Sequence, residues 1–227
     1  MMPGRKPDVA RIYSRLRNRF GLLGWWHGTR EEIVIGAMLT QQTSWNNVEK
    51  AMANLKKADK LGLKAIAHTD TRTLERLVRP SGFYRQKGKR LKHISSYICR
   101  NYSDIDMFFN KDADSLRKEL LSLNGIGNET ADSIALYAAG KPLFVIDAYT
   151  RRVMHRIDPG VPEDIDYDSL REYFQENLKA DVNLYRDFHA QFVELGKRHC
   201  KAKPVCAGCP LGVMCTYRKS AMPKTNA

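Results

Sequence analysis

The segment that decides the fold runs from Leu123 to Gly140 and reads LNGIGNETADSIALYAAG. Gly125 and Gly127 stand one residue apart, directly before a run with helical spacing. Glycines leave backbone N–H groups accessible at a helix N-terminus, where the helix dipole favours an anion. With Leu123 and Ile126 anchored in a core, this turn predicts a helix connection that binds phosphate. The alternative is an ordinary glycine-rich connection.

The composition favours a polyanionic partner. The chain has 227 residues, 43% of them hydrophobic, and a formal net charge of +13. This length suffices for one large domain or two smaller lobes. Nucleic acid is the leading partner for such a charge, and a solvated basic surface is the alternative. The apolar runs are shorter than the ~18 residues of a membrane helix, and no signal segment opens the chain. We therefore expect a soluble intracellular protein without a membrane partner.

The hydrophobic spacing predicts an all-α protein, since no segment alternates in the manner of a strand. Helices are predicted over residues 31–39, 43 or 44 to 55, 74–77, 86–102, 115–123, 147–157, 167–178 and about 183–199. We expect two lobes with the active cleft between them. One is a helical barrel over residues 31–140 that includes the glycine turn, and the other combines residues 1–30 with 141–227.

Three further segments accompany the glycine turn. They are AMLTQQTSWNNV at 37–48, PSGFYRQKGKRL at 80–91 and FVIDAYTRRVMHRI at 144–157. Asp147 in the third segment precedes a helix, where an aspartate is usually only an N-cap. In this order, however, the segments resemble the helix-hairpin-helix DNA glycosylases, the endonuclease III superfamily. The resemblance covers roughly residues 31–156.

The resemblance implies a role for each segment. Asp147 is the catalytic residue, opposite the hairpin and facing a flipped nucleotide. Gln42 enters the gap left by the extruded base, with the adjacent Gln41 as the alternative. The remaining DNA-binding residues are predicted to be Leu123, Gly125, Ile126 and Gly127 of the hairpin and the basic residues Arg85, Lys87, Lys89 and Arg90. We expect a monomer that acts on double-stranded DNA containing a damaged base, in the cytoplasm and with the nucleoid if the source is prokaryotic.

Four cysteines near the C-terminus predict a metal centre. Cys200, Cys206, Cys209 and Cys215 form the pattern C-x5-C-x2-C-x5-C. Four thiolates this close in an intracellular chain favour metal binding over disulfides. One compact loop with a single CxxC is typical of a structural [4Fe–4S] cluster, with zinc as the alternative. The resembled family usually has six residues in the first gap, where this chain has five. The fifth cysteine, Cys99, is predicted to be a buried core residue.

The residue after the hairpin bears on the reaction. Bifunctional members of the resembled family carry a lysine there, which attacks the sugar as an amine nucleophile. The hairpin alignment places Glu129 at that position. The resemblance therefore implies a monofunctional glycosylase, in which water is the nucleophile and no strand is cut.

The tryptophans suggest a substrate. The segments at 24–50 and 79–91 look most like the 3-methyladenine DNA glycosylase III branch, with Trp25, Trp26 and Trp45 as a base pocket. An alkylated purine is cationic and stacks well on indole faces. Alternatively, the tryptophans are core anchors, and the substrate is an oxidised or mismatched pyrimidine or a mispaired adenine. A rival of another class is a non-catalytic DNA-binding module with structural zinc, which would be colourless where an iron–sulfur protein is brown.

Overall fold

The computed structural model describes residues 7–24 and 26–221, with side chains to residue 220. Within this part of the chain no β-strand occurs, and the predicted all-α class is confirmed. The α-helices are α1 Val9–Phe20, α2 Arg30–Thr40, α3 Trp45–Lys57, α4 Leu63–His68, α5 Thr71–Leu77, α6 Tyr84–Asn101, α7 Ile105–Phe109, α8 Ala113–Ser122, α9 Asn128–Ser133, α10 Ala148–Ile157, α11 Tyr167–Glu176, α12 Val182–Arg198 and α13 Thr216–Ala221. A 3₁₀ turn spans Arg79–Ser81, and a π-helical turn spans Ile134–Ala138.

Contacts divide the chain into two compact units, which we call the central and flanking units. The central unit is Trp26–Lys141, and the flanking unit is formed by the segments on either side of it. Helices α2 to α9 lie in the central unit, and α1 and α10 to α13 lie in the flanking unit. None of the helices in the described residues is long and apolar enough to cross a membrane.

Helix α2 forms the core of the central unit. Every residue from Ile33 to Leu39 is buried, so that this helix is covered on all sides. A capping box fixes its start, because Thr29 accepts from the Glu32 backbone while Glu32 accepts from the Thr29 backbone. The next helix begins after Ser44, one of its two predicted N-caps, although the Ser44 side chain makes no capping hydrogen bond.

Aromatic rings and one buried carboxylate hold the flanking unit together. Phe144 stacks on Phe174 with ring centroids 4.2 Å apart, and Phe188 on α12 packs edge-on against both. Asp187, also on α12, accepts hydrogen bonds from the Tyr13 hydroxyl at 2.7 Å and the Leu23 backbone at 2.9 Å. Helix α1 is therefore tied to α12 through a carboxylate with only 3% exposure.

Cys99 is not a core residue, contrary to the prediction. The buried stripe of α6 includes Leu91, Ile94 and Ile98. Cys99 lies one position beyond that stripe and is exposed, because each step along a helix turns the side chain by about 100°.

Lys87 is buried, although it was predicted to contact DNA at the surface. It is 2% exposed, and its ammonium donates to the Leu39 carbonyl at 2.9 Å and the Ser81 carbonyl at 2.6 Å. Burial, together with the nearby positive charge of Arg90, lowers the pKa of Lys87 from 10.5 to about 8. Its two hydrogen bonds compensate in part for the loss of solvent around the charge.

The lowered pKa of Lys87 predicts a pH-dependent stability. Below about pH 8 both the folded and unfolded states carry the proton, and between about 8 and 10.5 only the unfolded state does. The contribution of Lys87 to the free energy of unfolding should therefore rise with pH across that window. Urea unfolding of the wild type and Lys87→Met over this pH range measures the effect, and the stability of the wild type relative to the variant should increase from about pH 8 to 10.5.

The matched control is Lys89→Met, because Lys89 is exposed on the same helix. It should keep the pH dependence of the wild type. A Lys87→Met curve parallel to that of the wild type would contradict the assignment.

Candidate functional site

The glycine turn connects two helices, as predicted. Helix α8 ends at Ser122, α9 begins at Asn128, and residues 123–127 between them are the hairpin turn. Leu123 and Ile126 are 5% and 6% exposed, so that they anchor the turn in the core. Their burial leaves the backbone of the turn, rather than these side chains, to meet a ligand.

The two glycines of the hairpin turn serve different purposes. Gly125 has φ +90°, and a Cβ atom there would lie 2.4 Å from Cδ of Arg90. It is therefore required by the backbone conformation and by the arginine packed against it. A Cβ at Gly127 would meet no atom within 4 Å, and this exposed residue is the N-cap of α9. The space in front of Gly127 suits the approach of an anion to the backbone.

A polar network joins the hairpin turn to residues 40–44, which we call the glutamine loop. Gln41 donates from Nε2 to the Gly125 carbonyl at 2.9 Å and to Thr130 Oγ1 at 3.1 Å. Its Oε1 accepts from Arg90 Nη1 at 2.9 Å. Gln41 thus uses both ends of its amide inside the central unit.

Gln42 is placed differently from Gln41. It is exposed, and its backbone has φ +52°, a left-handed conformation that is uncommon outside glycine. Of the two glutamines that the sequence left open, Gln42 is the one oriented toward solvent.

Phe83, like Gln42, is exposed and has left-handed backbone. It was not predicted from the sequence as a site residue. It is 60% exposed with φ +43°, and it lies in residues 79–83, which we call the phenylalanine loop. A large apolar side chain held exposed by strained backbone is a candidate for ligand contact. The signal in the sequence was a phenylalanine directly after Ser81–Gly82, in the segment 80–91 that resembles the DNA glycosylases.

The four predicted basic contacts are in three different environments. Arg85 and Lys89 are exposed, Arg90 is half-buried beside the hairpin turn, and Lys87 is buried. Only the first two stand free at the surface as phosphate ligands would. Arg79 and Arg85 both lie 5.8 Å from the ring centroid of Tyr84, and the two exposed arginines extend this basic surface beside the phenylalanine loop.

The described tryptophans form an aromatic group with a third ring. Trp26 and Trp45 meet edge to face with centroids 5.4 Å apart, and Trp26 also packs against Tyr137 at 5.1 Å. Tyr137 lies on the π-helical turn and was not anticipated from the sequence. The edge-to-face contact leaves no gap for a base between Trp26 and Trp45, so that a base would have to stack on an open ring face. Trp25 lies outside the described residues.

Asp147 is the N-cap of α10 and is held as a carboxylate. Its Oδ1 accepts from the Thr150 backbone at 2.7 Å and the Thr150 hydroxyl at 2.8 Å. Nε2 of His189 lies 3.5 Å from Oδ2. Burial acts to raise the pKa of Asp147, but the nearby His189 and the hydrogen bonds from Thr150 outweigh it and lower the pKa below 3.8. A buried anion of this kind can stabilise positive charge.

Glu129 occupies the first turn of α9 and is exposed. An acidic side chain there complements the positive end of the helix dipole. A glutamate at this position offers a carboxylate and no amine for covalent attack on a sugar.

The four C-terminal cysteines line one pocket in the flanking unit. All four are free and half-buried. Burial raises the pKa of the Cys209 thiol, and the neighbouring Cys200, Cys215 and Cys206 raise it further. Within the described residues, no group of three or more histidine, cysteine or carboxylate side chains is arranged to hold a metal ion in this conformation.

The chemistry of the pocket nevertheless fits a soft metal group. Four thiols supply the donors, and Arg156 Nη1 lies 3.3 Å from Cys200 Sγ, where it would offset thiolate charge. Arg156 also donates to the Lys201 and Ala202 carbonyls, and Arg152 donates to the Cys200 carbonyl. Helix α10, which begins after Asp147, therefore holds residues 200–215, which we call the cysteine loop, in place.

Comparisons with known proteins agree with this architecture. The candidate DNA repair glycosylase MJ1434 of Methanocaldococcus jannaschii is 44% identical over 210 residues, which are 91% of this chain and 95% of that protein. The crystal structure of H. pylori 3-methyladenine DNA glycosylase bound to 1,N6-ethenoadenine has a TM-score of 0.75 and 31% identity, covering 84% of this chain and 98% of that one. A non-covalent endonuclease III–DNA complex shares the fold, with a TM-score of 0.79, 22% identity and coverage of 93% and 95%.

A protein-family model also matches the sequence of this chain. The sequence model of the HhH-GPD superfamily base excision DNA repair proteins matches residues 35–180, more than half of the chain. The chain therefore belongs to the HhH-GPD superfamily of base excision DNA repair proteins.

Proposed function

We propose that this protein is a monofunctional DNA glycosylase that extrudes an alkylated purine, such as 3-methyladenine, and hydrolyses its N-glycosidic bond. The observation that carries the proposal is the buried carboxylate of Asp147 at the start of α10. The 31% identity to a 3-methyladenine DNA glycosylase supports the choice of substrate.

The central unit supplies the binding surface for double-stranded DNA. Arg85 and Lys89 attract phosphates, and the backbone at Gly127 receives one of them at the start of α9. Gln42 fills the gap left by the extruded nucleotide, and Phe83 enters the base stack beside it. Each of these side chains is exposed in the free protein.

Asp147 contributes electrostatic stabilisation in the chemical step. As the N-glycosidic bond breaks, its electron pair leaves with the base and positive charge grows on the sugar. The carboxylate stabilises that charge, and water adds to the sugar carbon and loses a proton. The products are the free base and an abasic site. A cationic purine leaves as a neutral molecule, so that strong acid catalysis of its departure is unnecessary.

The cysteine pocket is the proposed site of a [4Fe–4S] cluster, with zinc as the alternative. Cys200, Cys206, Cys209 and Cys215 would hold it, with the guanidinium of Arg156 beside them. The group would supply structural cross-linking of the C-terminal loop rather than redox chemistry. The reaction described above uses none of these residues.

The test of the proposed function is base release from a panel of damaged duplexes. The protein should release 3-methyladenine and act poorly on duplexes with uracil or with thymine opposite guanine. Strands should break only after alkali treatment, and borohydride should trap no covalent adduct, because Glu129 stands where a lysine would attack. Release of thymine or an oxidised pyrimidine without release of 3-methyladenine would refute the substrate, and a trapped adduct would refute monofunctional chemistry.

Asp147→Asn should lower kcat by about a hundredfold or more while leaving DNA binding intact. Asparagine keeps an oxygen that can accept from Thr150 and remains a good N-cap, so that the fold should persist. Single-turnover base release and urea unfolding measure the two effects. The matched control is Asp166→Asn, because Asp166 caps α11 of the same unit through Ser169. Equal turnover in the Asp147 and Asp166 variants would remove Asp147 from the catalytic role.

Trp45→Ala should lower kcat/KM for 3-methyladenine about ten- to hundredfold, by loss of about 1–3 kcal/mol of stacking. Trp45→Phe should be much milder, because a ring face remains. Both variants remove the indole N–H that donates to Glu49, so that the comparison isolates the stacking surface. Equal losses in Trp45→Ala and Trp45→Phe would argue for the hydrogen bond, and no loss in either would make Trp45 an anchor of the fold.

A further inference from the structure

Two cationic side chains on α6, those of Lys87 and Arg90, lie behind the three turns of the predicted DNA-facing surface, inside the central unit. Lys87 and Arg90 are three residues apart, which places them on one side of the helix. They were both expected to contact phosphate. Their hydrogen bonds instead lead to the glutamine loop, the phenylalanine loop and the hairpin turn.

Lys87 connects the end of α2, which leads into the glutamine loop, to the phenylalanine loop. Its ammonium bonds the Leu39 carbonyl, three residues before Gln42, and the Ser81 carbonyl, two residues before Phe83. One buried nitrogen thus anchors the backbone shortly before each of the two residues proposed to enter the DNA stack. Because Lys87 is 2% exposed, its ammonium is shielded from the surface where phosphates bind.

Arg90 connects the glutamine loop to the hairpin turn. Its guanidinium bonds Gln41 Oε1, and Gln41 Nε2 in turn bonds the Gly125 carbonyl. The aliphatic part of Arg90 also lies against Gly125, where even a methyl group would collide with it. A shift of the hairpin turn would therefore disturb both the packing and the hydrogen bonds of this arginine.

We infer that Lys87 and Arg90 are positioning residues that lock the glutamine loop, the phenylalanine loop and the hairpin turn to one another, so that the three engage DNA as one rigid surface. This inference rests on the proposed glycosylase function. Rigid spacing matters because insertion of Gln42 and Phe83 into the base stack requires both to be in place while the hairpin holds the backbone. Strained backbone at both insertion residues persists only where surrounding contacts over-determine it.

Binding to two duplexes distinguishes positioning from phosphate contact. One duplex carries a tetrahydrofuran abasic-site analogue, and the other is undamaged with the same sequence. Lys87→Met should reduce the preference for the abasic analogue by about tenfold, with the slope of log Kd against log salt unchanged. A phosphate ligand behaves differently, because its loss lowers the salt slope and weakens binding to both duplexes alike.

Lys89→Met is the matched control, since Lys89 is exposed on the same helix two residues away. It should lower the salt slope by about one phosphate contact and weaken binding to both duplexes. If Lys87→Met behaves like Lys89→Met, or keeps the full preference for the abasic analogue, the inference is wrong. If the wild type itself shows no preference, the proposed function fails instead.

Arg90→Met tests the inference independently of whether Lys87→Met folds. It should also reduce the preference for the abasic analogue. Amide hydrogen exchange of the free protein should accelerate in the glutamine loop and the hairpin turn together, while α3 stays protected as in the wild type. Unchanged exchange in both turns would overturn the role of Arg90 as a link between them.

Discussion

A buried ammonium requires oxygen acceptors, and this requirement shapes the functional face of the central unit. Lys87 has lost nearly all of its solvent, and its Nζ is bonded to the carbonyls of Leu39 and Ser81. The end of α2 and the 3₁₀ turn after α5 must therefore approach α6 at the same point. Gln42 and Phe83 follow these anchored carbonyls by three and two residues. Both have left-handed backbone, which persists where surrounding contacts over-determine it.

The central unit buries the positive charge of Lys87, whereas the flanking unit buries negative charge. Asp187 is surrounded by donors from Tyr13, Leu23 and Gln191 and lies 3.3 Å from Arg17. Its role is to join α1 to α12. Asp147 is also buried but has fewer donors around it, from Thr150 and with His189 at 3.5 Å. His189 and Asp187 both lie on α12, so that this one helix contributes to the surroundings of both buried carboxylates.

Helix α10 unites two sites that the sequence presents separately. Asp147 caps its N-terminus, while Arg152 in its middle and Arg156 near its C-terminus bond the cysteine loop. A packed helix transmits displacement because its backbone hydrogen bonds resist bending. The cysteine loop and Asp147 are thus connected through one packed helix.

Local patterns in the sequence predicted much of the fold. The all-α class and the long helices α2, α6, α10 and α12 follow from apolar spacing, and the hairpin turn follows from its two glycines. Helix α1 was not predicted, although its buried residues Val9, Ile12 and Leu16 stand at helical spacing. Cys99 was misplaced because it lies at the edge of the buried stripe of α6.

The sequence by itself determined the motifs and their order, and these led to the family. Only the tertiary structure distinguished Gln42 from Gln41, exposed Phe83 and buried Lys87. These assignments depend on partners that are distant along the chain: Lys87 is bonded to Leu39, and Gln41 to Gly125. A lysine in a basic segment has the same local pattern whether it contacts phosphate or two carbonyls. The surroundings of the lysine decide between phosphate contact and burial. Removing an ammonium from water is tolerated only where the fold brings acceptors to it.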